Sequence, residues 1–261
     1  MGDPAAPPLG RDGSGFVVSL RTVVTGAASG IGQAVAARLR ARGDRVIGFD
    51  RDIDSSVDPA DWVVVDLSDA AARSTAVETA TEQPGGIDVL VNVAGVFRSG
   101  SLLDSTPADW MPVLELDLHA PLDLMRLCAP GMVRQGFGRI LNVTSVHARL
   151  AQPHCLAYDV AKAGLEAATR SAALDLGPLG VLANAVAPGF VRTRMSLLDD
   201  GRDETETEDF AQRYLLHNRL PLGRGATAQE IGPVIDLLTS SENTYLTGQV
   251  VTIDGGLTIT F

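Results

Sequence analysis

Thr25-Gly26-Ala27-Ala28-Ser29-Gly30-Ile31-Gly32 decides the fold of this 261-residue chain. The stretch follows Arg21-Thr22-Val23-Val24-Thr25, a β-branched run that predicts a strand, and it opens a segment with helical spacing of apolar residues. A glycine-rich turn between a strand and a helix lets the backbone approach a pyrophosphate, while the amides of the helix N-terminus point at the charge. The spacing therefore predicts a dinucleotide site whose turn residues are Gly26, Ser29, Gly30, Ile31 and Gly32.

The same alternation of strand and helix continues along the chain. Further strands are predicted at Arg45–Phe49, Trp62–Val65, Ile87–Val91, Gly138–Val143, Val181–Val186 and Gln249–Ile253, and helices at Ile31–Arg42, Asp69–Thr81 and Leu156–Leu176. Near-continuous apolar strands separated by helices are typical of a parallel sheet that is covered on both faces. We predict an α/β protein with a Rossmann-type doubly wound parallel sheet, in a single domain over residues 18–261 that follows a flexible N-terminal tail at 1–17.

The segment 195–222 departs from this pattern. It contains an acidic run at 199–209 and no clear strand. Charge runs are usually solvated, which makes an exposed acidic loop one interpretation. Long insertions also often close over a cleft, and the functional prediction is a substrate lid.

Composition and charge exclude several classes of partner. The net charge of −11 and the pI near 4.7 argue against nucleic acid and anionic membrane, both of which need a basic face. No signal peptide and no apolar run of membrane-spanning length are present, so we expect a cytoplasmic protein. Cys128 and Cys155 are expected to be reduced core or near-core thiols. The four histidines form no metal-binding pattern, so the sequence predicts no metal site.

The ends of the predicted strands indicate which dinucleotide binds. Asp50 ends the second strand, where a carboxylate accepts hydrogen bonds from ribose hydroxyls and repels a 2′-phosphate. Ser29 is neutral where a basic residue would favour the 2′-phosphate, although Arg51 follows Asp50 directly and leaves a second interpretation open. We therefore predict NAD, with NADP as the less favoured cofactor. Further cofactor contacts are predicted at the ends of the third and fourth strands, at Asp66, Leu67, Asn92, Ala94 and Gly95.

Lys162 is the only lysine among 21 Lys and Arg residues, and it lies four residues after Tyr158. Residues spaced by four share a helix face, so the two side chains are expected to be neighbours. A nearby ammonium favours the phenolate form and is expected to lower the tyrosine pKa, which suits acid–base chemistry. Ser145 follows the fifth strand and is a candidate to hydrogen-bond a substrate oxygen.

Together these motifs resemble the short-chain dehydrogenase/reductase family over residues 18–261. The resemblance also rests on Pro188-Gly189-Phe190-Val191-Arg192-Thr193 and on Asp254-Gly255-Gly256. It implies hydride transfer between a nicotinamide and a secondary alcohol or ketone, and a homo-oligomer, tetramer or dimer. It further implies that Tyr158 is the general acid/base, that Ser145 orients the substrate oxygen and that Lys162 also binds ribose hydroxyls. The nicotinamide end would be held by Tyr158, Lys162, Pro188, Gly189, Val191 and Thr193.

One departure from the family pattern concerns the active site. The family often has an asparagine seven residues after the tryptophan of the fourth helix, where it holds a water that relays protons to the lysine. Counting from Trp110, this chain has Asp117 at that position. Asp117 is thus a candidate catalytic residue, and its charge is expected to raise the pKa of Lys162.

The substrate is expected to be a small molecule. Three features resemble the dehydrogenases of 2,3-dihydro-2,3-dihydroxybenzoate: the stretch Leu90 to Arg98, the long segment after Gly189, and the NAD-type Asp50. We therefore favour a cyclic, dihydrodiol-like and possibly carboxylated alcohol, over a 3-oxoacyl or general ketone reductase and over a weakly catalytic NAD-binding sensor or scaffold. The candidate substrate contacts are Ser145, Arg98, His147, Arg149 and His154.

Overall fold

The computed structural model describes residues 19–53, 58, 61–82 and 86–259. The predicted tail at 1–17 lies outside the described residues. The strands of the main sheet are β1 (Arg21–Thr25), β2 (Arg45–Asp50), β3 (Trp62–Val64), β4 (Val89–Asn92), β5 (Gly138–Val143), β6 (Val181–Pro188) and β9 (Val250–Ile253). These seven strands are parallel and lie in the order β3-β2-β1-β4-β5-β6-β9. A separate parallel pair is formed by β7 (Val191–Arg192) and β8 (Ala226–Thr227).

Helices connect the strands and cover the sheet. They are α1 (Gly30–Arg42), α2 (Ala70–Glu82), α3 (Pro107–Leu114), α4 (Ala120–Gln135), α5 (Leu156–Leu176), the short α6 (Glu208–Phe210) and α7 (Ala228–Thr239). A π-helical turn at Glu115–His119 joins α3 to α4, and a second one at Ala211–Leu215 continues α6. The described helices include none that is both long and apolar enough to cross a membrane.

The two faces of the sheet carry separate apolar cores. Successive side chains of a strand point to opposite faces, so Val23 packs with α2 and α4 while Val24 packs with α1 and α7. Leu124 of α4 and Ile231 of α7 are almost fully buried in these two cores. Coverage on both faces explains why the strands have no polar alternation, and the doubly wound parallel sheet predicted from the sequence is confirmed.

The strand order reverses between β1 and β4, which creates a crevice at the carboxyl ends of the strands. Thr25 bridges this point, because its Oγ1 accepts the backbone N–H groups of Val93 at 2.9 Å and Ala94 at 3.0 Å. The glycine turn and the end of β4 are therefore held together where doubly wound sheets bind ligands.

The segment 195–222 folds onto this edge as short helical turns. Phe210 is buried and packs edge-on against Phe190, with ring centroids 4.8 Å apart. The hydroxyl of Tyr214 accepts a hydrogen bond from Gln152 at 2.9 Å, which ties the segment to the loop between β5 and α5. A cleft of about 420 Å³ lies between that loop and the segment, and it is lined by Gln152, Pro153, Gln212, Arg213, Tyr214, His217 and Arg219.

Candidate active site

The glycine turn has the backbone geometry that its sequence predicts. Gly26 and Gly30 have φ values of 67° and 55°, a conformation that residues with a Cβ rarely adopt. At Gly32 a Cβ would lie 2.1 Å from the carbonyl oxygen of Gly26, so no other residue fits. The turn leads into the N-terminus of α1, whose free amides favour an anion. The predicted turn residues Ser29 and Ile31 lie at the same helix start.

Asp50 is hydrogen-bonded to the glycine turn. Its Oδ2 accepts the backbone N–H of Ala28 at 2.9 Å, and its Oδ1 accepts that of Asp52 at 3.2 Å. The carboxylate thus lies at the carboxyl end of β2, beside the turn. Hydrogen bonds from Ser68, with a smaller contribution from the Arg51 guanidinium, hold the pKa of Asp66 below its ordinary value. Leu67, next to Asp66, is buried.

The remaining predicted cofactor residues lie around the same crevice. A Cβ on Gly30 would lie 3.3 Å from the side chain of Thr193, which places that threonine beside the glycine turn. A Cβ on Gly26 would lie 3.0 Å from the Cα of Ala94. The other members end or follow β4 and β6 at the carboxyl edge of the sheet, and they are Asn92, Gly95, Pro188, Gly189 and Val191.

Ser145, Tyr158 and Lys162 come together on the far side of the crevice. Tyr158 and Lys162 lie on the first turns of α5, and the Lys162 Nζ is 5.4 Å from the centroid of the Tyr158 ring. Lys162 is buried, and its Nζ donates to the carbonyl of Val143 at 3.3 Å, at the end of β5. Ser145 follows that strand in extended conformation, and its hydroxyl is close enough to Tyr158 to favour the phenolate.

Asp117 contacts Lys162 directly. Its Oδ2 lies 3.0 Å from the Lys162 Nζ, and its Oδ1 accepts the backbone N–H of Val96 at 2.7 Å. The carboxylate is fully buried and is carried by the π-helical turn between α3 and α4. A π-helical turn re-aims side chains within a helix, and such turns are frequent at functional sites. A Cβ on Gly95 would lie 2.7 Å from the same carboxylate, so the glycine makes room for this contact.

The electrostatics of this group differ from the sequence-based prediction in one respect. Burial raises the pKa of Tyr158, Lys162 lowers it and Asp117 raises it again, so the pKa lies above the ordinary value of a tyrosine. The prediction that Lys162 would bring this pKa down is therefore wrong for the net effect, although the direction of the lysine's own contribution is right. Burial alone would lower the pKa of Lys162, but the Asp117 carboxylate and Tyr158 outweigh burial and leave it raised, as predicted.

Besides Ser145, the predicted substrate contact His147 also lies next to the tyrosine. Its ring packs edge-on against Tyr158, with centroids 5.5 Å apart, and its Nδ1 is 2.7 Å from the Oδ1 of Asp159. Arg149 lies elsewhere, because its Nε donates to the buried Glu166 carboxylate at 3.1 Å. Its predicted contact with a substrate carboxylate stays a prediction, and its partner Glu166 comes from α5, a separate segment that leaves no local signal in the sequence.

Arg98 and His154 are exposed at the rim of the site. The Arg98 guanidinium is near enough to Asp109 to lower the pKa of that carboxyl, after the larger effect of hydrogen bonds from Thr106. His154 has a φ of 63°, and its carbonyl accepts the backbone N–H of Gly100 at 2.8 Å. Its backbone thus shapes the loop before α5.

Two residues of the site were missed from the sequence. Phe97 packs edge-on against Tyr158, with ring centroids 5.6 Å apart. Asp159 lies inside the Tyr158–Lys162 motif and fixes the His147 ring. The partner of Asp159 comes from a separate segment, so the contact leaves no local signal in the sequence.

Known proteins are similar to this chain in sequence and fold. The family model described as enoyl-(acyl carrier protein) reductase matches residues 26–258. The chain belongs to the short-chain dehydrogenase/reductase family. Members act as oxidoreductases on CH–OH groups with a nicotinamide cofactor, and this protein is an enzyme of that kind. The positive-φ glycines before α1 and the carboxylate of Asp50 beside them fit such a dinucleotide.

Several family members are similar to this chain over nearly its whole length. The 3-oxoacyl-[acyl-carrier-protein] reductase FabG of Thermotoga maritima is 35% identical over 247 residues, which cover 91% of this chain and 97% of that protein. The trans-4-hydroxycyclohexanecarboxylate dehydrogenase of Sinomonas cyclohexanicum is 34% identical over 252 residues, 90% of this chain and 92% of that protein. The crystal structure of a putative NAD(P) dependent gluconate 5-dehydrogenase from Beutenbergia cavernae, with bound NADP, superposes with a TM-score of 0.83 at 31% identity and covers 94% and 99% of the two chains.

Proposed function

We propose that this enzyme is an NAD-dependent dehydrogenase that oxidises a cyclic secondary alcohol, with a carboxylate on the ring as the favoured variant. The observation that carries the proposal is the contact set of Ser145, Tyr158 and Lys162 across the crevice from the glycine turn. A proton acceptor, an oxygen ligand and a buried ammonium in one place are what alcohol oxidation requires.

In the proposed mechanism Tyr158 is the general base. The substrate hydroxyl sits between the Ser145 hydroxyl and the Tyr158 phenol, and Tyr158 removes its proton as the hydride leaves the carbon. When bound, the nicotinamide supplies the hydride acceptor. The Lys162 ammonium stabilises the phenolate from behind the ring, which offsets part of the cost of a buried negative charge.

In this proposal Asp117 reduces the positive charge that Lys162 presents to Tyr158. With an uncharged side chain at position 117, Lys162 would present its full positive charge to Tyr158. The contact of 3.0 Å between Asp117 and Lys162 partly neutralises that charge. We therefore expect oxidation to require a more alkaline pH than it would with an asparagine there, because the phenolate forms less readily.

The choice of NAD over NADP rests on Asp50 and Ser29. A carboxylate held beside the glycine turn repels a 2′-phosphate, and the neutral Ser29 offers no compensating charge. The structure from Beutenbergia cavernae contains NADP, so a relative of this chain binds the phosphorylated cofactor. The test is kcat/KM with each cofactor at saturating alcohol, and a preference for NADP would overturn this part of the proposal.

The substrate class rests on the site and on one relative. The walls next to Tyr158 are the rings of Phe97 and His147, which suit a flat or cyclic substrate with polar substituents. The relative from Sinomonas cyclohexanicum acts on a hydroxylated cyclohexanecarboxylate by its name. Arg98 at the rim is the remaining candidate for a ring carboxylate, since Arg149 is held by Glu166. A dihydrodiol such as 2,3-dihydro-2,3-dihydroxybenzoate is the most specific form of this proposal.

Reduction of a 3-oxoacyl group is the second candidate. The 35% identity to the Thermotoga maritima reductase favours it. The acidic segment 199–209 opposes it, because an acyl-carrier protein is itself acidic and like charges hinder docking.

One panel separates the candidates. The protein is mixed with NAD and a series of cyclohexanols, their carboxylates and dihydrodiols, and separately with NADPH and 3-oxoacyl esters, while nicotinamide absorbance is followed. Turnover of cyclic alcohols with NAD supports the first candidate, and turnover of 3-oxoacyl esters alone supports the second. NAD binding without turnover of any compound would favour a sensor or scaffold and contradict both.

Two further parts of the proposal concern assembly and closure. We propose a homo-oligomer, because α4 and α5 expose the apolar side chains of Leu122, Val160 and Leu174. Light scattering of the purified protein tests this assembly.

We also propose that the segment 195–222 is a substrate lid, supported by the contact of Tyr214 with Gln152 in the loop after Ser145. Tyr214→Phe removes that hydroxyl and should raise KM for the alcohol more than it lowers kcat, whereas an unchanged KM contradicts the lid.

A further inference from the structure

A thiol, an imidazole and a carboxylate meet beside Tyr158. The Cys155 Sγ, a ring nitrogen of His147 and a carboxylate oxygen of Asp159 lie within 4.8 Å of one another. Cys155 precedes α5 directly and Asp159 lies in its first turn, so a spacing of four puts both on one side of the helix start. His147 comes from the single 3-10 turn after β5. The cluster is therefore built by two separate segments.

The donor set matches one class of metal ion. A thiolate, an imidazole nitrogen and one carboxylate oxygen are ligands that Zn²⁺ binds at about 2.0–2.3 Å in tetrahedral geometry, which separates the ligand atoms by about 3–4 Å. The three atoms here are within reach of that arrangement after side-chain adjustments alone. Mg²⁺ and Ca²⁺ prefer oxygen ligands only and are poorly suited to this set.

The cluster is only partly enclosed by the protein. Cys155 is buried while His147 and Asp159 are half-buried, which leaves one side of the cluster open for an ion and a water ligand.

We propose that Cys155, His147 and Asp159 form a binding site for a zinc-class transition-metal ion, with water as the remaining ligand, and that the bound ion inhibits the enzyme. Binding converts the Cys155 thiol to a thiolate and releases its proton to solvent, with no change in oxidation state. Inhibition follows because the ion lies between His147, whose ring is 5.5 Å from that of Tyr158, and the start of the helix that carries Tyr158. The sequence predicted no metal site, because these ligands have no recognisable spacing along the chain.

The test is titration of the full chain with Co²⁺, followed by displacement with Zn²⁺. Wild type should bind about one ion per chain and show a thiolate-to-cobalt charge-transfer band, which Zn²⁺ abolishes. Cys155→Ser should lose that band, and both Cys155→Ser and Asp159→Asn should weaken Zn²⁺ binding by calorimetry at least about ten-fold.

The chain offers matched controls. His119 and Glu115 form another imidazole–carboxylate pair, at 2.9 Å, in which neither residue belongs to the cluster. Cys128 is the other buried free cysteine. His119→Gln and Cys128→Ala should keep both the charge-transfer band and the affinity. The proposal is overturned if wild type binds no Co²⁺, if the band survives Cys155→Ser, or if His119→Gln weakens binding as much as Asp159→Asn does.

The activity measurement rests on the proposed function and is separable from the binding measurement. Zn²⁺ should inhibit alcohol oxidation by wild type reversibly, with recovery on addition of a chelator, and it should inhibit Cys155→Ser at least about ten-fold more weakly. If Zn²⁺ binds without inhibiting the enzyme, the inhibitory role is overturned and the binding site itself still stands. If the metal-free protein turns over no alcohol, the proposed function is contradicted, and the spectroscopic evidence for the metal site is unaffected.

Discussion

The two sides of the crevice are built in different ways. On the cofactor side the backbone of the turn after β1 shapes the site. Its glycines have positive φ values, Gly32 has no room for a Cβ, and the amides at the start of α1 point towards the site. On the substrate side the site is shaped by polar side chains, since Asp117 contacts Lys162 and Asp159 contacts His147 next to Tyr158.

The difference teaches where each side is vulnerable. A backbone turn depends on residues that are adjacent in sequence, and it fails when a side chain is added. A buried charge cluster depends on partners from different segments, and it fails when the charge, shape or pKa of one partner changes. The following predictions test this contrast.

The largest effect is expected for Lys162→Arg on the substrate side. The buried pocket that holds the ammonium against Asp117 has no room for a planar guanidinium, and turnover should fall by about 10²–10⁴-fold. Arg149→Lys is the matched control, because Arg149 is exposed and pairs with Glu166. This variant should keep turnover within about two-fold. Steady-state kinetics check both variants, and near-wild-type turnover of Lys162→Arg would remove the case for a special lysine.

The next effect is expected for Gly32→Ala on the cofactor side. A Cβ 2.1 Å from the Gly26 carbonyl must displace the turn, which should lower the free energy of unfolding by about 1–3 kcal/mol and weaken NAD binding at least about ten-fold. Gly177→Ala is the matched control, because its φ is −53° and nothing lies within 4 Å of the new Cβ. Chemical denaturation and NAD titration measure the two quantities. Equal behaviour of the two variants would contradict the tight turn.

A smaller effect is expected for Asp50→Ser, which removes a negative charge on the cofactor side, where the backbone turn shapes the site. Removal of the carboxylate ends the repulsion of a 2′-phosphate, while the serine hydroxyl still accepts the Ala28 amide. The ratio of kcat/KM for NADP to that for NAD should rise about ten-fold or more. Asp52→Asn, on the exposed residue two positions later, should leave the ratio unchanged. A ratio that stays constant in Asp50→Ser would mean that other residues select the cofactor.

The smallest effect on maximal turnover is expected for Asp117→Asn. The Asp117 charge raises the pKa of Tyr158, so its removal lowers that pKa, and the rise of oxidation rate with pH should begin at a lower pH. Plateau turnover should stay within a few-fold, because asparagine retains a hydrogen-bonding oxygen for the Val96 amide. Glu115→Gln, in the same π-helical turn but bound to Arg73 and His119, should leave the pH profile in place. A shift to higher pH, or complete loss of activity, would contradict the charge effect.

Much of the architecture could be predicted because it is periodic or local. The seven strands of the main sheet, the glycine turn and the full extent of α5 follow from apolar runs, Gly spacing and a 21-residue helical pattern. The pairing of Tyr158 with Lys162 also follows from a spacing of four on one helix. The sequence did not reveal the π-helical turn at Glu115–His119, since no residue type specifies the shift in hydrogen bonding that creates it.

The sequence by itself determined the alternation of strands and helices, the glycine turn and the pairing of Tyr158 with Lys162, because each depends on neighbours within a few positions. Only the tertiary structure decided which polar groups meet. It joined Asp117 to Lys162, paired Arg149 with Glu166, and brought Cys155 and Asp159 to His147. The physical reason is that the energy of a buried charge depends on distance and desolvation among segments far apart in the chain, which a linear pattern does not encode.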